Sequence, residues 1–216
     1  MFKYTPIYII FIFVLGILFF SSEVQAARLA LVIGNAAYKD SPLKNPVNDA
    51  RAISKKLTVL GFKVQMVENM KRLQIGKTVT GFVNMIRPGD DIVVFYAGHG
   101  VQLKGVNYFP AVDAEILTEE DVALNSLNLN TLLERLDETK GGVKLLFLDA
   151  CRNNPFARNF RGGERGLARV PSSPTGTLIG LTQKASKFPH CENFELVPSC
   201  KSEPRSWTSK LLPQVT

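Results

Sequence analysis

In Asp91-Ile-Val-Val-Phe-Tyr-Ala-Gly-His99, an almost unbroken apolar run ends at a histidine. A second stretch, Lys144-Leu-Leu-Phe-Leu-Asp-Ala-Cys151, repeats this pattern and ends at a cysteine. Continuous apolar runs of this kind predict strands of a parallel sheet that is covered on both faces. Because ligands bind beyond the carboxyl ends of such strands, the two reactive residues predict a functional site at that edge.

Three further apolar segments are predicted strands of the same sheet. The first of them, Arg28–Ile33, is predicted to be a central strand, as are the two quoted stretches. Between the strands, apolar residues recur at three- and four-residue steps, which predicts helices over 47–60, 75–86 and 129–136. Alternating strands and helices indicate βαβ units, whose right-handed crossovers place helices on both sides of the sheet. The three further strands are Arg28–Ile33, Phe62–Glu68 and Gly176–Leu181.

The N-terminal segment 1–26 predicts export. Lys3 precedes an apolar run over 7–20, and Val24-Gln25-Ala26 has the small residues that signal peptidase requires, so we expect cleavage after Ala26. The alternative is an uncleaved membrane anchor, because about twenty mostly apolar residues suffice to span a bilayer. In both cases the domain faces outside the cytoplasm, as a periplasmic or secreted protein or as one held at the membrane.

The net charge of the 216-residue chain is +7, and five arginines fall between 152 and 169. No nucleic-acid motif or aromatic-and-basic alternation accompanies them, so we interpret this stretch as a solvated loop and expect no nucleic-acid partner. Of the three cysteines, Cys191 and Cys200 can pair locally, which leaves Cys151 free. With His190 that pair is one ligand short of a zinc site, so we expect no metal.

His99 and Cys151 predict nucleophilic catalysis if their strands are neighbours. A thiol is mostly protonated at neutral pH, and a nearby histidine can remove the proton to give the thiolate nucleophile. Either residue alone is more often a buried structural residue. Their shared edge, in a chain with only two histidines, favours a catalytic pair. The glycines that flank His99 let the backbone turn and leave N–H groups free to face an oxyanion.

Several motifs together resemble the p20 core of bacterial caspase-like proteins (peptidase C14), relatives of metacaspases in the clan that also holds caspases. The histidine and cysteine motifs lie 52 positions apart, close to the spacing in the caspase signature. The resemblance spans about residues 28–180. Its motifs are Tyr96-Ala-Gly-His-Gly100, Asp149-Ala-Cys-Arg-Asn-Asn-Pro155, Leu31-Val-Ile-Gly-Asn35, Asn45-Pro-Val-Asn-Asp-Ala50, Asn107-Tyr108 with Val112-Asp113, and Gly166-Leu-Ala-Arg169 leading into Gly176-Thr-Leu-Ile179.

The resemblance implies a three-layer α/β fold of the caspase-hemoglobinase type over residues 27–181, with a mostly parallel sheet flanked by helices. It also implies an attack by Cys151 on the scissile carbonyl of a polypeptide, with His99 as general base and backbone N–H groups of Gly100 and Cys151 facing the oxyanion. This chemistry needs no cofactor. Calcium dependence is known among metacaspases, but no acidic cluster in the sequence is specific enough to assign as a site.

Substrate preference also follows from the resemblance. Metacaspases cleave after Arg or Lys because acidic residues line their first specificity pocket, and Asp49 and Asp149 are the matching positions. The period of a strand puts Asp149 on the same side as Cys151. The alternative for Asp49 is a helix cap. The cluster around Arg152 keeps open a preference for acidic side chains, as in true caspases.

Residues 182–216 show neither helical nor strand periodicity and contain four prolines, which predicts an irregular tail. The family usually continues there with another strand and helix, so we hypothesise a truncated or frame-shifted gene near residue 181. Reading the genomic DNA in the other frames tests this hypothesis. A missing edge strand would leave an unpaired sheet edge for a partner chain to complete. The alternative function is therefore a catalytically impaired caspase-like module that binds peptides or partners. A smaller departure is Asn153, where relatives often have Asp.

Overall fold

The computed structural model describes residues 26–151, 163–164, 167–168 and 176–182, and these form nine strands and four α-helices. The strands are β1 (Arg28–Gly34), β2 (Lys63–Glu68), β3 (Asp91–His99), β4 (Val101–Leu103), β5 (Val106–Pro110), β6 (Ser126–Asn128), β7 (Lys144–Cys151), β8 (Gly163–Glu164) and β9 (Thr177–Thr182). The helices are α1 (Pro46–Val59), α2 (Ile75–Val83), α3 (Glu119–Leu124) and α4 (Leu129–Glu138).

A five-stranded parallel sheet forms the centre of the fold, in the order β2-β1-β3-β7-β9. All five predicted strands are confirmed, and the three predicted as central do lie inside the sheet. The apolar runs predict strands that end at Ala97 and Asp149, and β3 and β7 each run two residues further. The parallel ladder between them continues through Gly98 and Ala150 to His99 and Cys151, so the two reactive residues belong to the strands themselves.

The helices cover both faces of this sheet, which confirms the three-layer α/β architecture. On one face α1 packs against alternate residues of β1 and β3, and on the other face α2 and α4 pack against the intervening residues. This alternation is why the strands are apolar at almost every position. The α1 layer includes Ala50, Ile53 and Leu57 with Val32 and Phe95, and the α2–α4 layer includes Phe82, Leu132 and Leu136 with Leu31, Tyr96 and Leu148.

A second, antiparallel sheet of order β6-β5-β4-β8 was not predicted from the sequence. Its strands have two to five residues, too few to show a clear alternation of apolar and polar positions. The β4–β5 hairpin turns through Lys104 and Gly105, both with positive φ. Two central residues with positive φ suit a tight hairpin, but Lys-Gly is a weaker sequence signal than Asn-Gly.

Helix α2 ends at Val83, three residues before the predicted end. Met85 and Ile86 continue as tight turns, in which each N–H bonds to the carbonyl three residues earlier. Pro88 follows, and a proline disfavours helical conformation in the residue before it. Within the described part of the chain, no helix has the length and apolar character needed to cross a bilayer. The predicted export segment, the arginine-rich loop and the tail lie outside the described residues except at the positions given above.

Candidate active site

The carboxyl ends of β3 and β7 bring His99 and Cys151 together. The two residues are register partners on adjacent parallel strands. Neighbouring strands lie about 5 Å apart, so the two backbones are close enough for a direct interaction between a histidine and a cysteine. The expectation that these strands are neighbours is confirmed, although the roles of the two residues stay a prediction at this point.

The imidazole of His99 is held in one tautomer by a backbone carbonyl. The side chain is buried, with 4% of its surface exposed, and Nε2 lies 2.7 Å from the carbonyl oxygen of Ser41. A carbonyl oxygen can only accept, so Nε2 carries the proton and Nδ1 of the neutral ring carries the lone pair. Among the described residues Nδ1 has no hydrogen-bond partner. The ring therefore presents an unpaired basic nitrogen inside the protein.

Two tyrosines fix the backbone of His99 through a closed set of hydrogen bonds. The N–H of His99 donates to Tyr38 Oη at 3.0 Å, and Tyr96 Oη donates to the carbonyl of His99 at 2.7 Å. The two hydroxyls lie 3.2 Å apart. The two hydroxyls are therefore within hydrogen-bonding distance of each other as well as of the main chain of His99. The ring of Tyr38 also contacts the imidazole, with a centroid distance of 4.4 Å.

Burial lowers the pKa of His99, and the hydrogen bond from Nε2 to Ser41 offsets only part of this effect. The unfolded chain therefore binds a proton at this histidine more readily than the folded chain does. By linkage, the folded state loses stability as the pH falls below the unfolded value of about 6.5. At neutral pH the ring is uncharged, as a general base must be before the reaction.

We expect the melting temperature to decrease as the pH falls from 6.5 to 5, because the unfolded chain takes up the proton of His99 at a higher pH than the folded chain does. Thermal unfolding by circular dichroism across pH 5–8 measures the decrease. A His99→Gln variant serves as the control and should have a flatter profile there, since the lowered pKa values of Glu68, Glu120 and Asp121 place their titration in a more acidic range. Equal slopes in the two proteins would contradict the assignment.

Asp49 and Asp149 lie on the sheet face that α1 covers. Asp149 is the register partner of Ala97, an apolar residue of the α1 layer, and its side chain is half-buried. Asp49 is buried in the first turn of α1. That turn packs tightly on the end of β1, because a Cβ on Gly34 would lie 2.7 Å from Ala50 Cβ. The two carboxylates therefore share one face and one end of the sheet.

The capping alternative for Asp49 is not what the structure contains. The N-cap residue of α1 is Asn45, and Pro46 follows it as the first helical residue. Asp49 lies within the first turn, where its N–H donates to the carbonyl of Asn45 at 3.0 Å. A carboxylate in this turn is stabilised by the helix dipole without being the cap itself.

Gly100, one of the two predicted oxyanion residues, is buried beside the segment at 167–168. A Cβ at this position would lie 2.8 Å from Leu167 Cδ2 and 2.9 Å from Ala150 Cβ, so only glycine fits. The amide of Asn107 holds this segment: Nδ2 donates to the carbonyl of Ala168 at 2.9 Å, and Oδ1 accepts its N–H at 2.6 Å. The small sheet thereby anchors the chain that packs on Gly100.

Ser41 and Tyr38 are the site residues that the sequence reasoning missed. Ser41 acts through its main-chain carbonyl, for which no side-chain pattern exists. Tyr38 lies in the loop after β1, and its proximity to His99 depends on the pairing of β1 with β3. That loop also bonds to β3 directly, since Asn35 N–H donates to the carbonyl of Ala97 at 2.9 Å. Once the strand order is known, a tyrosine in this loop can be expected to contact His99.

Among the described residues there is no group of three or more His, Cys, Asp or Glu side chains that could hold a metal ion. A groove of about 540 Å³ lies between β2 and α2, at the far edge of the sheet from β7. Its lining includes Gln65, Glu68, Gln74, Lys77 and Thr78 and contains no cysteine or histidine. The groove therefore lies beside the outer strand β2, on the side of β1 away from β3 and β7, which carry His99 and Cys151.

Comparisons with known proteins agree with this architecture. A family model described as "Caspase domain" (Peptidase C14) matches residues 27–211. The mucosa-associated lymphoid tissue lymphoma translocation protein 1 of Homo sapiens and its Mus musculus homolog are each 29% identical over 126 residues, or 58% of this chain. The chain spans about 15% of the length of these curated relatives.

A solved structure of pro-sf-caspase-1 is similar in fold, with a TM-score of 0.50 and 20% identity over 76% of this chain and 64% of that one. At this identity the likeness concerns the fold alone. The family model, by contrast, covers most of the chain. The chain therefore belongs to the caspase-domain family, peptidase C14.

Proposed function

We propose that this protein is a cysteine endopeptidase in which Cys151 is the nucleophile and His99 the general base. One observation carries the proposal: the two residues are register partners at the carboxyl ends of adjacent strands, in a chain of the peptidase C14 family. The unpaired Nδ1 of a buried, neutral His99 supports it further. A buried polar atom without a hydrogen-bond partner lowers the stability of the fold, and a catalytic role explains why such an atom is kept.

In the proposed reaction, Nδ1 of His99 accepts the thiol proton of Cys151 as the sulfur attacks the scissile carbonyl. The imidazole then carries two protons, and the one on Nε2 stays bonded to the carbonyl of Ser41. When the tetrahedral intermediate collapses, the C–N bond breaks and Nδ1 returns its proton to the leaving amine. Water then hydrolyses the thioester by the same route, which regenerates the thiol and releases the carboxylate product.

The negative charge on the substrate oxygen would be met by the backbone N–H groups of Gly100 and Cys151. Rigid donors in a dry site stabilise a developing oxyanion without reorganisation during the reaction. The packing at Gly100 supports this role, because Leu167 and Ala150 lie so close that no side chain fits there and the surroundings are apolar. Asn107 contributes indirectly by holding Ala168.

We propose that Asp49 and Asp149 select Arg or Lys at the residue before the scissile bond. Their shared face and end of the sheet support a common pocket, because a cation that enters there would meet both carboxylates. A substrate cation would also offset the effect of Asp149 on the neighbouring thiol, whose pKa a nearby negative charge tends to raise. Specificity and nucleophile activation would then depend on the same charge.

We expect Asp49→Asn and Asp149→Asn each to lower kcat/KM for peptides with Arg or Lys by at least about 30-fold, since losing one partner of a buried charge pair costs about 2 kcal/mol or more. Steady-state kinetics with fluorogenic peptides measure the change. Glu134→Gln is the matched control: it removes one exposed negative charge on α4, across the sheet. Unchanged preference in both Asp variants would overturn the pocket assignment.

Hydrolysis of fluorogenic peptides with Arg, Lys or Asp before the scissile bond tests the proposed function. The purified 27–216 chain is assayed with and without calcium, beside its Cys151→Ala variant. Thiol-dependent cleavage after Arg or Lys supports the peptidase and its acidic pocket, whereas cleavage after Asp supports the peptidase with the opposite pocket. A folded chain without turnover contradicts the proposal.

The non-catalytic alternative, a module that binds a partner chain, is favoured by one feature of the sheet edge. Strand β9 is the outermost described strand beside β7, and its residue Leu178 is 67% exposed. An exposed apolar side chain on an edge strand suits pairing with another chain. Sedimentation of the folded protein at several concentrations tests whether β9 pairs with a second copy of the chain. A monomer at every concentration would contradict such pairing.

A further inference from the structure

A buried carboxylate holds the first residue of the described fold after Ala26. The N–H of Ala27 donates to Asp90 Oδ1 at 2.8 Å, and the carbonyl of Ala27 accepts the N–H of Asp91 at 2.9 Å. Asp90 is 4% exposed, and its other oxygen accepts the N–H of Arg87 at 2.8 Å. Both oxygens of this carboxylate are therefore used on main-chain donors, and no side-chain cation is bonded to it in the described part of the chain.

Ala27 is also the residue that the expected signal-peptide cleavage would make the N-terminus. The small-residue site Val24-Gln25-Ala26 ends immediately before it. The match to the caspase-domain model begins at the same position, and β1 begins one residue later. The chain at 26–28 is exposed. The expected cut thus falls where the fold begins, beside a carboxylate.

We propose that cleavage between Ala26 and Ala27 is a maturation step that creates an ion pair with Asp90. A signal peptidase adds water across the peptide bond, which leaves a carboxylate on Ala26 and an amino group on Ala27. A free α-amino group has a pKa of about 8, so it takes up a proton at neutral pH. The nitrogen that acquires this charge is the atom that already bonds to Asp90 at 2.8 Å.

The new charge strengthens an existing contact without requiring the fold to move. The present bond already has one ionised partner, the carboxylate of Asp90, and a positive charge on the donor nitrogen adds a direct electrostatic attraction to it. The contact joins the start of β1, an interior strand, to the residue just before β3, its neighbour. The other nearby charged groups are engaged elsewhere: Arg28 donates to the carbonyl of Leu60, and Asp91 Oδ1 accepts the N–H of Val143. Asp90 is thus the specific partner of the new ammonium group.

Two measurements test the proposal, and neither depends on peptidase activity. The full chain is first expressed with its own leader in an exporting bacterium, and intact mass gives the N-terminus of the exported product. Thermal unfolding at pH 7 then compares a chain that begins at Ala27 with one that retains Ala26, each with Asp90 and with Asp90→Asn. The Ala26 chain is the matched control, because its ammonium group lies one residue away and position 27 keeps a neutral amide.

We expect an exported product that begins at Ala27 and melts about 2–4 °C above the Ala26 chain, the shift expected for one strengthened hydrogen bond in a chain of this size. The difference should vanish in Asp90→Asn. A different N-terminus, equal melting temperatures, or a difference that survives Asp90→Asn would overturn the proposal. If Asp90→Asn does not fold, the rate of labelling by an amine-specific reagent decides: a paired Ala27 amine reacts more slowly than the Ala26 amine, and equal rates contradict the pair.

Discussion

Replacing Cys151 by alanine is expected to reduce cleavage of Arg- and Lys-containing peptides to the background rate, and replacing His99 by alanine to lower kcat about 10²–10⁴-fold. The first change removes the proposed nucleophile, the residue that the register of β3 and β7 pairs with His99. The second removes general-base catalysis, which typically contributes a factor of this size. Initial rates at saturating peptide, with circular dichroism as the check on folding, measure both effects.

The double variant Cys191→Ala/Cys200→Ala is the control for Cys151→Ala. It removes the other two cysteines together, so that neither is left without its possible partner and Cys151 is the one cysteine of the chain. We expect it to keep its activity, because the proposed reaction uses neither residue. Peptide cleavage that persists in Cys151→Ala, or that disappears only in the double variant, would show that the nucleophile has been assigned to the wrong residue.

Gly98→Ala is expected to lower kcat by about 10²-fold and to destabilise the fold by about 1–3 kcal/mol. A Cβ at position 98 would lie 2.5 Å from Tyr96 Oη and 2.7 Å from Tyr38 Oη. These hydroxyls hold the N–H and the carbonyl of His99, so the tyrosines cannot retreat without releasing the proposed general base. A displacement of about 1 Å at a catalytic group is enough for a rate loss of this size.

Gly76→Ala is the matched control for Gly98→Ala. A Cβ at Gly76 meets no atom within 4 Å, and the residue is exposed in the first turns of α2. We expect it to stabilise the protein by about 0.5–1 kcal/mol and to leave kcat unchanged, because alanine is the better helix former. Chemical denaturation and peptide kinetics on both variants decide the matter. Equal behaviour of the two variants would mean that the tyrosine contacts do not position His99.

The sheet and the placement of the reactive pair could be predicted because they depend on local patterns. Strands β1, β3 and β7 are buried on both faces, so their sequences are long apolar runs. The carboxyl ends of parallel strands lie at one edge of the sheet, and this rule places His99 and Cys151 at the same edge. The family resemblance predicts the roles of the two residues and the acidic pocket, which no periodicity reveals.

The second sheet and the contacts around His99 could not be predicted, because they depend on tertiary structure. Strands β4, β6 and β8 are too short for a period to be visible, and β4 and β8 pair residues about sixty positions apart in the chain. The carbonyl of Ser41 has no signature in the sequence. The partnership of Tyr38 with Tyr96 joins residues 58 positions apart, and only the neighbouring positions of β1 and β3 bring them together.

The most direct test of the His99–Cys151 pair is the intact mass of the protein after incubation with a peptidyl chloromethyl ketone that ends in arginine. We expect one adduct, mapped to Cys151 by peptide sequencing, and we expect it to be absent from His99→Ala at the same exposure. This result would identify the nucleophile, its dependence on the base and the acceptance of a basic side chain together. A folded chain that gains no adduct, or one labelled at another residue with Cys151 unmodified, would contradict the account.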